Sequence, residues 1–490
     1  MELEKLIKNI SIEPISLPFI DVDNICTHSS DVNNGSLFVA IKGFANDGHN
    51  YIKQAIDNGA SAIITDKKNS ETISSVPNIK VENSRSVLSK LSSTFYNQPS
   101  KELNIVGITG TNGKTTTAAI LHSIFKENGL KCAQLGTLGT IVDGLTTTKT
   151  LTTLDPVNLH RTFREFVQIG ITHVIMEVSS HALDQYRVAD VEFNVGAFTN
   201  LSEEHLDYHE NMKNYFEAKA KLFQMLGASS SAVINYDDEL GLEISKASKA
   251  KLFTFSKQWN TNIYLSGVIN NLNGIEFILN HESGKIPISS SLIGEYNVEN
   301  ILCAVSIALS QNINPKIIQK GVSKCDIIPG RMEVFKLKNN STIIIDYAHT
   351  PDAYEKVLNT VQKMKPKYSK VNVLFGCGGD RDRDKRPLMG KIAENYSDKM
   401  WIVPDNPRTE KINDINNQIV KDLKKNTFQL YKDREKALRK ALDELTNGDI
   451  LVILGKGRED YQEINGKKIN YSDIEIVKGF INANWFAKSR

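Results

Sequence analysis

A glycine-rich segment near residue 110 constrains the fold of this chain more than any other stretch. It reads NIVGITGTNGKTTTAAILHSIF over Asn104–Phe125. The apolar run Ile105–Ile108 predicts a buried strand, and the apolar face after the loop predicts a helix that ends at Gly129. A strand, a glycine loop and a helix that begins with Lys-Thr form a cradle for phosphate groups, because backbone N–H groups and the helix N-terminus point at the anion. The sequence therefore predicts a nucleotide site here.

The residues of this cradle have separate expected tasks. Lys114 is placed to reach the β- and γ-phosphates of a nucleotide, and Thr115 to hold Mg²⁺. The spacing differs from the usual P-loop, because Ile108 stands five positions before Gly113, where that motif has glycine. A glycine turn with a purely structural role is the alternative. The strand and helix predicted on either side favour the phosphate cradle, and with it ATP and Mg²⁺.

The length of the chain predicts several domains. Its 490 residues exceed the size of a single hydrophobic core. We expect three α/β domains: a small mixed α/β domain at 1–100, a central P-loop domain with a parallel sheet at 101–330, and a C-terminal Rossmann-like α/β domain at 331–490. The Pro-Gly pair of IIPGR (Ile327–Arg331) marks the second boundary. Strands that alternate with helices favour doubly wound parallel sheets.

Charge and cysteine content exclude several classes of function. The net charge is only +2, so nothing in the composition favours nucleic acid or a membrane surface as a partner. The five cysteines are scattered and lack Cys-x-x-Cys spacing, which is typical of reduced thiols and not of disulfides or zinc ligands.

The N-terminus lacks the apolar core of a signal peptide, and no apolar run has membrane-spanning length. We expect a cytoplasmic monomer.

The first domain gives mainly structural signals. The run Ser36–Gly43 predicts a strand, and Asn50–Thr65 predicts a helix, a glycine stop and a second strand. Ser30 lies on a loop beside these elements, where a turn residue is the simplest interpretation. Near residue 297, GEYNVENILCA predicts a turn that runs into a helix, with Asn297 and Asn300 on its first turns. Asn297 as a helix cap is the structural alternative there.

Polar side chains follow the predicted strands of the central domain. These strands are Ile105–Ile108, Val174–Met176, Phe193–Phe198 and Ala232–Ile234. Ligands bind beyond the carboxyl ends of strands in open α/β sheets, where Glu177 and Asn200 lie. Glu177 and His205 could each be an Mg²⁺ ligand beside Thr115, although histidine is an unusual ligand for that ion. The alternatives are an ordinary hydrogen-bonded histidine at 205 and a solvated lysine at 219, on the helix of YFEAKAKLF.

Charged loops follow three of the four strands predicted in the C-terminal domain. These strands are Ile343–Ile345, Val371–Phe375, Met400–Val403 and Ile450–Leu454. If they are parallel, the loops GCGGDRDRDKRP, PDNPRTE and GKGREDY converge at one edge of the sheet. That edge would collect cations and carboxylates together: Arg386, Asp405, Asn406, Arg408, Lys456 and Glu459. Such a mixture suits a zwitterionic partner, whereas any single loop could be only a solvated turn.

The ordered motifs of this chain resemble those of the Mur ligases. The motifs are GITGTNGKTTT, EVSSHAL, NLSEEHLDYH, YFEAKAKLF, GEYNVEN, PGRMEV, DYAHTPDA, GGDRDRDKRPLMG, DNPR and GKGREDYQ. They cover nearly the whole chain, and the GTNGKT loop has the glycine spacing of that family. The match is nearest to the members that add the third residue of the peptidoglycan stem peptide. The resemblance implies a three-domain ATP-dependent ligase that binds UDP-N-acetylmuramoyl-L-alanyl-D-glutamate, ATP and an amino acid.

The resemblance also implies roles for individual residues. Those expected to act in catalysis are Lys114, Glu177, His205 and Lys219, and the expected metal ligands are Thr115, Glu177, His205 and Lys219 as a carbamate. The expected ATP contacts are Gly110, Thr111, Asn112, Gly113, Lys114, Thr115, Thr116, Asn297, Asn300, Arg331, Asp346 and His349. The expected contacts of the UDP-linked peptide are Ser30, Thr152, Thr153, Ser179, Gln185 and Arg187. Those of the amino acid are Arg386, Asp405, Asn406, Pro407, Arg408, Gly455 and Glu459.

The DNPR loop bears on the choice of amino acid. In relatives that add meso-diaminopimelate, the arginine of this loop pairs with the distal carboxylate, so Arg408 favours that substrate. Relatives commonly have Ser-Arg in the uridine loop, whereas Asp31 follows Ser30 here. The lysine-adding ligase and a ligase like folylpolyglutamate synthase remain alternatives. A P-loop switch or motor is a rival from another class, which would hydrolyse ATP without an acceptor.

Overall fold

A computed structural model describes residues 1–8, 10, 18–43, 46–66, 75–142, 145–146, 151–258, 261–282, 284–325, 328–424 and 427–486. The chain forms two compact units. The first comprises Met1–Tyr264, His281–Gly284 and Asn300–Gly321, and the second comprises Leu265–Asn280, Lys285–Glu299 and Val322–Arg490. Among the described residues, no helix combines the length and the apolar character needed to cross a bilayer.

The N-terminal part is a parallel sheet of four strands in chain order. Its strands are β1 (Asn24–Cys26), β2 (Ser36–Val39), β3 (Ala60–Asp66) and β4 (Asn78–Val81). Its helices are α1 (Leu3–Ile7), α2 (Ile52–Asp57) and α3 (Ser84–Phe95). The predicted order of helix, glycine stop and strand is confirmed, since Gly59 (φ +105°) separates α2 from β3. The strand predicted from Ser36 ends earlier than expected, at Val39.

The next part contains the glycine cradle in the middle of a larger sheet. Its strands are β5 (Asn104–Thr109), β6 (Cys132–Gly136), β7 (Gly139–Val142), β8 (Leu145–Thr146), β9 (His173–Glu177), β10 (Val195–Phe198), β11 (Ser231–Asn235) and β12 (Lys251–Ser256). They lie in the order β12-β11-β10-β5-β9-β6-β7-β8, and only the pairings of β7 are antiparallel. The helices are α4 (Lys114–Glu127), α5 (Pro156–Gln168), α6 (Ser180–Asp184), α7 (Leu206–His209), α8 (Met212–Gln224) and α9 (Gly241–Lys246).

Helix α4 forms as the sequence predicts. Its apolar positions Ala118, Leu121, Ile124 and Phe125 are fully buried. The helix ends where Gly129 takes a φ of +73°, and the N–H of Leu130 donates to the carbonyl of Phe125 at 3.0 Å. This is the glycine-ended closure that satisfies the last carbonyls of a helix. The strand and helix on either side of the loop are therefore confirmed.

The chain then continues through a group of strands and two helices. These elements are β13 (Ile263–Asn271), β14 (Gly274–His281), β15 (Gly284–Ser290), α10 (Glu295–Ser310) and α11 (Pro315–Ser323). Of these elements, the sequence predicts only the helix near residue 297. Ile327, at the start of the predicted boundary, lies outside the described residues, and the domain limits at 100 and 330 stay predictions.

The C-terminal part contains a further sheet of six strands with helices on both faces, and a separate antiparallel pair of strands. Its strands are β16 (Glu333–Lys336), β17 (Thr342–Asp346), β18 (Val371–Phe375), β19 (Lys399–Ile402), β20 (Phe428–Leu430), β21 (Ile450–Leu454), β22 (Tyr461–Ile464) and β23 (Lys467–Asn470). Its helices are α12 (Pro351–Met364), α13 (Lys385–Tyr396), α14 (Ile412–Val420), α15 (Arg434–Asp443) and α16 (Asp473–Phe486). The six-stranded order is β16-β17-β21-β18-β19-β20, parallel except for β16.

This sheet satisfies the condition on which the charged edge depends. The strands β17, β21, β18 and β19 are parallel neighbours, with Asp346 opposite Leu454 and Phe375 opposite Ile402. The loops that follow these strands therefore leave at the same edge. The strands predicted for the central and C-terminal sheets lie within one residue of the observed limits, except that β10 begins at Val195 and not at Phe193.

A buried ion pair holds the end of β21. Arg434 and Asp473 are both fully buried and joined by two hydrogen bonds, Nε to Oδ1 at 3.0 Å and Nη2 to Oδ2 at 2.7 Å. The hydroxyl of Tyr471 donates to the same carboxylate at 2.6 Å, and Arg434 also donates to the carbonyl of Leu454 at 3.0 Å. Removing one partner from such a pair leaves an uncompensated charge in a low-dielectric interior.

We predict that Asp473→Ala lowers the free energy of unfolding of the C-terminal part by about 3 kcal/mol or more. The matched control is Glu435→Ala, which breaks the exposed pair between Arg439 and Glu435 on α15 and should cost under about 0.5 kcal/mol. Urea unfolding followed by circular dichroism measures both changes. Equal destabilisation by the two substitutions would contradict the assigned weight of the buried pair.

Candidate active site

The glycine loop after β5 adopts backbone conformations that other residues rarely take. Gly110 has a φ of +149° and Gly113 a φ of +88°. A Cβ atom at Gly110 would lie 1.9 Å from Oγ1 of Thr199, and one at Gly113 would lie 2.2 Å from Oδ1 of Asn300. Asn200 lies against the same loop, where its Oδ1 accepts from the N–H of Asn112 at 2.9 Å. Glycine is thus required at both positions for the loop to pack.

Two ammonium groups meet at one carbonyl of this loop. Nζ of Lys114 donates to the carbonyl oxygens of Gly110 and Thr111 at 2.8 and 2.9 Å. Nζ of Lys219 donates to the same oxygen of Gly110 at 2.8 Å. Lys219 is only 1% exposed and its ammonium lies 4.3 Å from the ring centroid of Tyr215. The interpretation of Lys219 as a solvated helix residue is therefore wrong.

The surroundings of Lys219 disfavour its charged form. Burial holds the pKa of Lys219 well below its usual range, and the nearby charge of Lys114 lowers it further. The lysine therefore tends towards the neutral amine, which is the nucleophilic form. Lys221, two residues further along the same helix, is instead paired with Asp184 at 2.8 Å and is partly exposed. Composition and spacing could not separate these two lysines, because only the fold decides which one is buried.

Glu177 lies beside the cradle because β9 is the parallel neighbour of β5. Residue 108 is paired with Glu177 in the sheet, so this side chain emerges next to the start of α4. Its Oε2 accepts from the hydroxyl of Thr115 at 2.9 Å, and its Oε1 accepts from the N–H of Thr137 at 2.9 Å. Gly136 leaves room for the carboxylate, since a Cβ there would lie 2.2 Å from Oε1 of Glu177. The structure thus brings Thr115 and Glu177 together.

His205 belongs to a cluster of aromatic side chains. It has a φ of +58°, and its ring centroid lies 4.8 Å from that of His181. Tyr208 and His209 pack against His181 at 4.2 and 5.4 Å. Desolvation lowers the pKa of His205, and it lowers the pKa of His181 to about 4. These rings are therefore neutral at pH 7, the form of histidine that can bind a metal.

Five of the six residues expected to hold the UDP-linked peptide lie around Glu177. The hydroxyl of Thr153 donates to the carbonyl of Glu177 at 2.9 Å and accepts from the N–H of Ser179 at 3.0 Å. Arg187 donates to the carbonyl of Thr153 at 3.0 Å and to Oε1 of Gln185 at 2.8 Å. Thr152 lies 3.4 Å from Thr137 through their hydroxyls. This group therefore adjoins the carboxylate of Glu177.

Ser30 lies on a short 3₁₀ turn, Ser29–Asp31, in the N-terminal part. It is exposed, and its hydroxyl donates to Oδ1 of Asp31 at 3.1 Å. Asp31, which stands where relatives commonly have arginine, thus accepts a hydrogen bond from the Ser30 hydroxyl. Ser29 is turned towards Gln54 instead, with 2.8 Å between Oγ and Oε1.

The other residues expected to contact the nucleotide lie in the first turns of α10, just before β16, at the end of β17 and in the loop that follows β17. Asn297 is within α10, and its Nδ2 donates to the carbonyl of Ile293 at 2.7 Å, so it is not the cap of that helix. The carboxylate of Asp346 accepts from the N–H groups of Met332 and Ala348 at 2.8 and 2.7 Å. The guanidinium of Arg331 lies 5.3 Å from the ring centroid of Tyr347, and the exposed His349 packs against the same ring.

The DNPR loop and the GKGRED loop meet as expected from the sheet. The fully buried Lys456 donates to Oδ1 of Asn406 at 3.1 Å and to Oε2 of Glu459 at 2.8 Å. Nδ2 of Asn406 donates to the same oxygen of Glu459 at 3.0 Å. Gly455 has a φ of +105°, and a Cβ there would lie 2.4 Å from Oδ2 of Asp405. The prediction that these loops share one edge is confirmed.

Two arginines expected in this pocket are placed differently. Arg408, after Pro407, donates through Nε to Glu463 at 3.1 Å and through Nη1 to the carbonyl of Gly379 at 2.6 Å, and its side chain stays 22% exposed. Arg386 is fully buried, and its guanidinium is bonded to both carboxylate oxygens of Glu410 at 3.0 and 2.8 Å. That pairing lowers the pKa of Glu410 to about 2. Arg386 therefore stabilises the loop that carries Glu410 from the protein interior. It is not among the accessible side chains of this edge, contrary to the sequence prediction.

The sequence patterns gave no functional expectation for three further residues of this edge, Tyr347, Arg381 and Glu463. Tyr347 contacts Glu459, and Glu463 contacts Arg408. Arg381 lies near Arg408, because both side chains adjoin Gly378, where a Cβ would lie 3.7 Å from Cγ of Arg381. Arg381 and Tyr347 were both inside quoted motifs, GGDRDRDKRPLMG and DYAHTPDA. Tyr347 directly follows β17 and Arg381 lies in the loop after β18, and these placements were the available signal.

Known protein domains match three parts of this chain. The Mur ligase family catalytic domain matches residues 21–96, the Mur ligase middle domain matches 108–308, and the Mur ligase glutamate ligase domain matches 330–457. The chain belongs to the Mur ligase family. These enzymes are ATP-dependent ligases, so the α/β architecture of three domains and the ATP-dependent activity expected from the motifs are both confirmed.

Similar proteins of the family span almost the whole Mur ligase chain. The ligase named UDP-N-acetylmuramoyl-L-alanyl-D-glutamate–2,6-diaminopimelate ligase from Aquifex aeolicus is 41% identical and covers 94% of both chains. The one of the same name from Clostridium perfringens is 39% identical and covers 97% of this chain and 99% of its own. A solved structure of a ligase with that name is 30% identical, with a TM-score of 0.70 and 99% of both chains covered.

More distant solved structures share the fold alone. The Thermotoga maritima MurF ligase in complex with ADP is 20% identical, covers 88% of this chain and 93% of its own, and has a TM-score of 0.63. Folylpolyglutamate synthase from Mycobacterium tuberculosis is 17% identical, with a TM-score of 0.63, and covers 75% of this chain and 92% of its own.

The cradle of this Mur ligase fits a magnesium ion that accompanies ATP. The hydroxyl of Thr115 and the carboxylate of Glu177 are adjacent oxygen donors, which is the ligand type that Mg²⁺ prefers, and that ion usually keeps several waters. Within the described ranges, no group of three or more His, Cys, Asp and Glu could hold a metal alone. The site therefore suits an ion that shares its ligands with phosphate and water.

We predict that Gly110→Ala weakens ATP binding by about tenfold or more, because the strained φ and the contact with Thr199 displace the loop. The matched control is Gly129→Ala, which also carries a positive φ but has nothing within 4 Å of the added Cβ. Isothermal titration with ATP and Mg²⁺ measures both. An unchanged dissociation constant for Gly110→Ala would show that the loop does not cradle the phosphates.

Proposed function

We propose that this Mur ligase joins meso-diaminopimelate to the γ-carboxylate of D-glutamate in UDP-N-acetylmuramoyl-L-alanyl-D-glutamate, as a step of peptidoglycan synthesis. The observation that carries the proposal is the similarity, over 94% or more of both chains, to ligases of that name. The glycine cradle and the charged loop edge supply the two sites that this reaction needs. We assign the reaction to the cytoplasm, where ATP is available and the five free, buried cysteines stay reduced.

The chemistry has two steps. A γ-carboxylate oxygen attacks the γ-phosphorus of ATP, and ADP leaves, so that the acid becomes an acyl phosphate. The amine of the amino acid then attacks the activated carbonyl, phosphate leaves, and the amine loses a proton as the amide forms. Both reactants of the first step are anionic, so they approach only where positive charge and fixed dipoles offset their repulsion.

The cradle supplies that positive charge in this chain. Lys114 and the N-terminus of α4 lie at the loop formed by Gly110, Thr111, Asn112 and Gly113, and Thr116 lies in the first turn of the helix. Thr115 and Glu177 would hold Mg²⁺, with His205 as a further ligand from the neighbouring loop. When bound, the ion supplies additional positive charge against the triphosphate. Asn297, Asn300, Arg331, Asp346 and His349 complete the proposed nucleotide set.

The group around Glu177 would hold the acceptor peptide. Thr153, Ser179, Gln185 and Arg187 are connected by hydrogen bonds to one another and to the backbone of Glu177, and Thr152 is connected to the Glu177 carboxylate through Thr137. A carboxylate held by this group therefore lies close to the cradle within the same unit. Ser30 is the proposed uridine contact, with Asp31 as its neighbour.

The charged loops would hold the incoming amino acid. Asp405, Asn406, Gly455 and Glu459 present acceptors for an ammonium group, and Arg408 presents a guanidinium for a carboxylate. A second carboxylate is what distinguishes meso-diaminopimelate from lysine, so Arg408 is the proposed selector. Arg386 contributes by fixing the loop through Glu410.

The rival functions lack this combination of features. Folylpolyglutamate synthase shares the fold at 17% identity over 75% of this chain, which does not extend to its substrates. A switch or motor protein has no need for the loop edge with both ammonium and carboxylate partners. A lysine-adding ligase has no use for a partly exposed arginine at position 408.

We predict that the purified protein releases phosphate from ATP when the UDP-linked dipeptide and meso-diaminopimelate are both present. Lysine in place of meso-diaminopimelate should give much slower release, and omission of either acceptor should give almost none. Malachite-green phosphate assays with chromatography of the UDP-linked product measure this directly. Steady ATP hydrolysis without the acceptors would favour a switch or motor protein.

A variant of the same assay tests the selector. Arg408→Ala should raise KM for meso-diaminopimelate about tenfold or more while KM for ATP changes little, because a charge-assisted pair with the distal carboxylate is lost. Arg439→Ala, which removes an exposed guanidinium on α15, is the control. An unchanged KM in Arg408→Ala would reject the role.

We further propose that Lys219 carries a carbamate in the active enzyme. Its neutral amine attacks CO₂, the nitrogen loses a proton, and the product is an anionic group with oxygen donors next to the cradle. This would give Mg²⁺ a third oxygen donor beside Thr115 and Glu177. Burial and the neighbouring Lys114 favour the uncharged amine that this addition requires.

We predict that ¹³C-labelled bicarbonate gives one carbamate signal in the NMR spectrum of the wild-type protein. Lys219→Arg should abolish the signal and most of the activity. Lys221→Arg is the matched control on the same helix and should retain both, because Lys221 is partly exposed and paired with Asp184. A signal that persists in Lys219→Arg would rule out this site.

A further inference from the structure

Tyr347, directly after β17, lies between a residue of the proposed nucleotide site and a residue of the proposed amino-acid site. Its hydroxyl is 3.4 Å from Oε1 of Glu459, and its ring centroid is 5.3 Å from Cζ of Arg331. All three residues belong to the same compact unit. One side chain thus contacts both groups.

The backbone around Tyr347 leaves little freedom for its ring. The N–H of Tyr347 donates to the carbonyl of Gly330 at 2.9 Å. On the other side, a Cβ at Gly457 would lie 3.1 Å from Cβ of Tyr347 and 3.2 Å from its Cδ2. Gly457 also has a φ of +52°, so glycine permits this close approach. The ring is therefore held between the segment before β16 and the loop after β21.

The hydroxyl of Tyr347 acts as a donor at neutral pH. Burial, together with the charge of Glu459, raises the pKa of Tyr347 to about 12. The protonated hydroxyl therefore donates to Oε1, while Lys456 and Asn406 donate to Oε2 at 2.8 and 3.0 Å. Three donors from three segments fix the direction of this carboxylate.

A second connection runs beside the first. Arg458 donates to both carboxylate oxygens of Glu333, with Nε to Oε2 at 2.9 Å and Nη2 to Oε1 at 2.6 Å. Glu333 also accepts from the N–H of Gly330 at 3.2 Å. The segment that carries Arg331 and the loop that carries Glu459 are therefore joined by this ion pair as well as by Tyr347.

We propose that Tyr347 is a positioning residue that holds the Glu459 carboxylate for the amine of the incoming amino acid and links that pocket to Arg331, so that nucleotide and amino acid bind cooperatively. This inference rests on the proposed function. The contact of a cation with an aromatic face contributes little free energy, and a hydrogen bond to a carboxylate contributes more. Substitutions of Tyr347 can therefore separate its contact with Arg331 from its hydrogen bond to Glu459.

The first experiment removes only the hydroxyl. Tyr347→Phe keeps the ring under Arg331, and we expect KM for meso-diaminopimelate to rise about three- to tenfold with kcat and KM for ATP nearly unchanged. Tyr354→Phe is the matched control, because this buried hydroxyl of α12 has no hydrogen-bond partner among the described residues. An unchanged KM for the amino acid in Tyr347→Phe would overturn the positioning role.

The second experiment tests the link to the nucleotide. In the wild type, ADP with Mg²⁺ should tighten the binding of meso-diaminopimelate at least about threefold in isothermal titration, and by linkage the amino acid should tighten ADP equally. Tyr347→Leu removes ring and hydroxyl, and the ratio should fall close to one. A wild-type ratio near one, or equal ratios in both proteins, would overturn the link.

Failure of this inference is distinguishable from failure of the proposed function. If the wild type forms no product with meso-diaminopimelate, the function itself is rejected. If the wild type forms product and Tyr347→Phe matches Tyr354→Phe in every kinetic constant, only the role of Tyr347 is rejected. A double variant with Glu459→Gln adds a check, because two changes on one contact should not add.

Discussion

The carbonyl oxygen of Gly110 is the point on which the central site depends. Two lysines, from the start of α4 and from the middle of α8, both donate to it at 2.8 Å. This contact places two potential cations at the mouth of a phosphate-binding loop, and their mutual repulsion adds to the burial that disfavours the charge of Lys219. The glycine loop is thus packed against two helices as well as following one strand. A substitution that moves the loop would disturb charge and geometry together.

The C-terminal part also buries cations, but there they are paired with carboxylates. A buried lysine, Lys456, lies beneath acceptors from two loops, and Arg386 and Arg434 are buried with their own carboxylates. Buried ion pairs contribute little net stability compared with apolar packing, but they become costly when one partner is removed. Their value here is to hold the loops after β18, β19 and β21 in fixed positions. Arg408 and Glu459, which stay partly exposed, can then be presented by a rigid frame.

The two proposed sites would bind two substrates that both carry anionic groups, and they differ in their charged side chains. The proposed nucleotide site would gather positive charge for the phosphates and the acceptor carboxylate. The proposed amino-acid site would combine acceptors for an amine with a guanidinium for a carboxylate. In the second unit, Tyr347 contacts a residue from each proposed ligand set. The carboxylate of Glu459 is therefore held by a side chain from outside its own loop. Similarity over the full chain to ligases of one name is consistent with this division of tasks.

The sequence alone determined the elements with strong local signals. The run Ile105–Ile108, the glycines at 110 and 113 and the apolar face of α4 specified a strand, a loop and a helix, and the order of the motifs specified the family. Burial and partnership were decided by tertiary structure. Lys219 and Lys221 are indistinguishable by pattern, yet one is buried at a carbonyl and the other is paired at the surface. Arg386 and Arg408 differ in the same way, because a side chain's surroundings come from segments distant in the chain, whereas local patterns record only the neighbours along it.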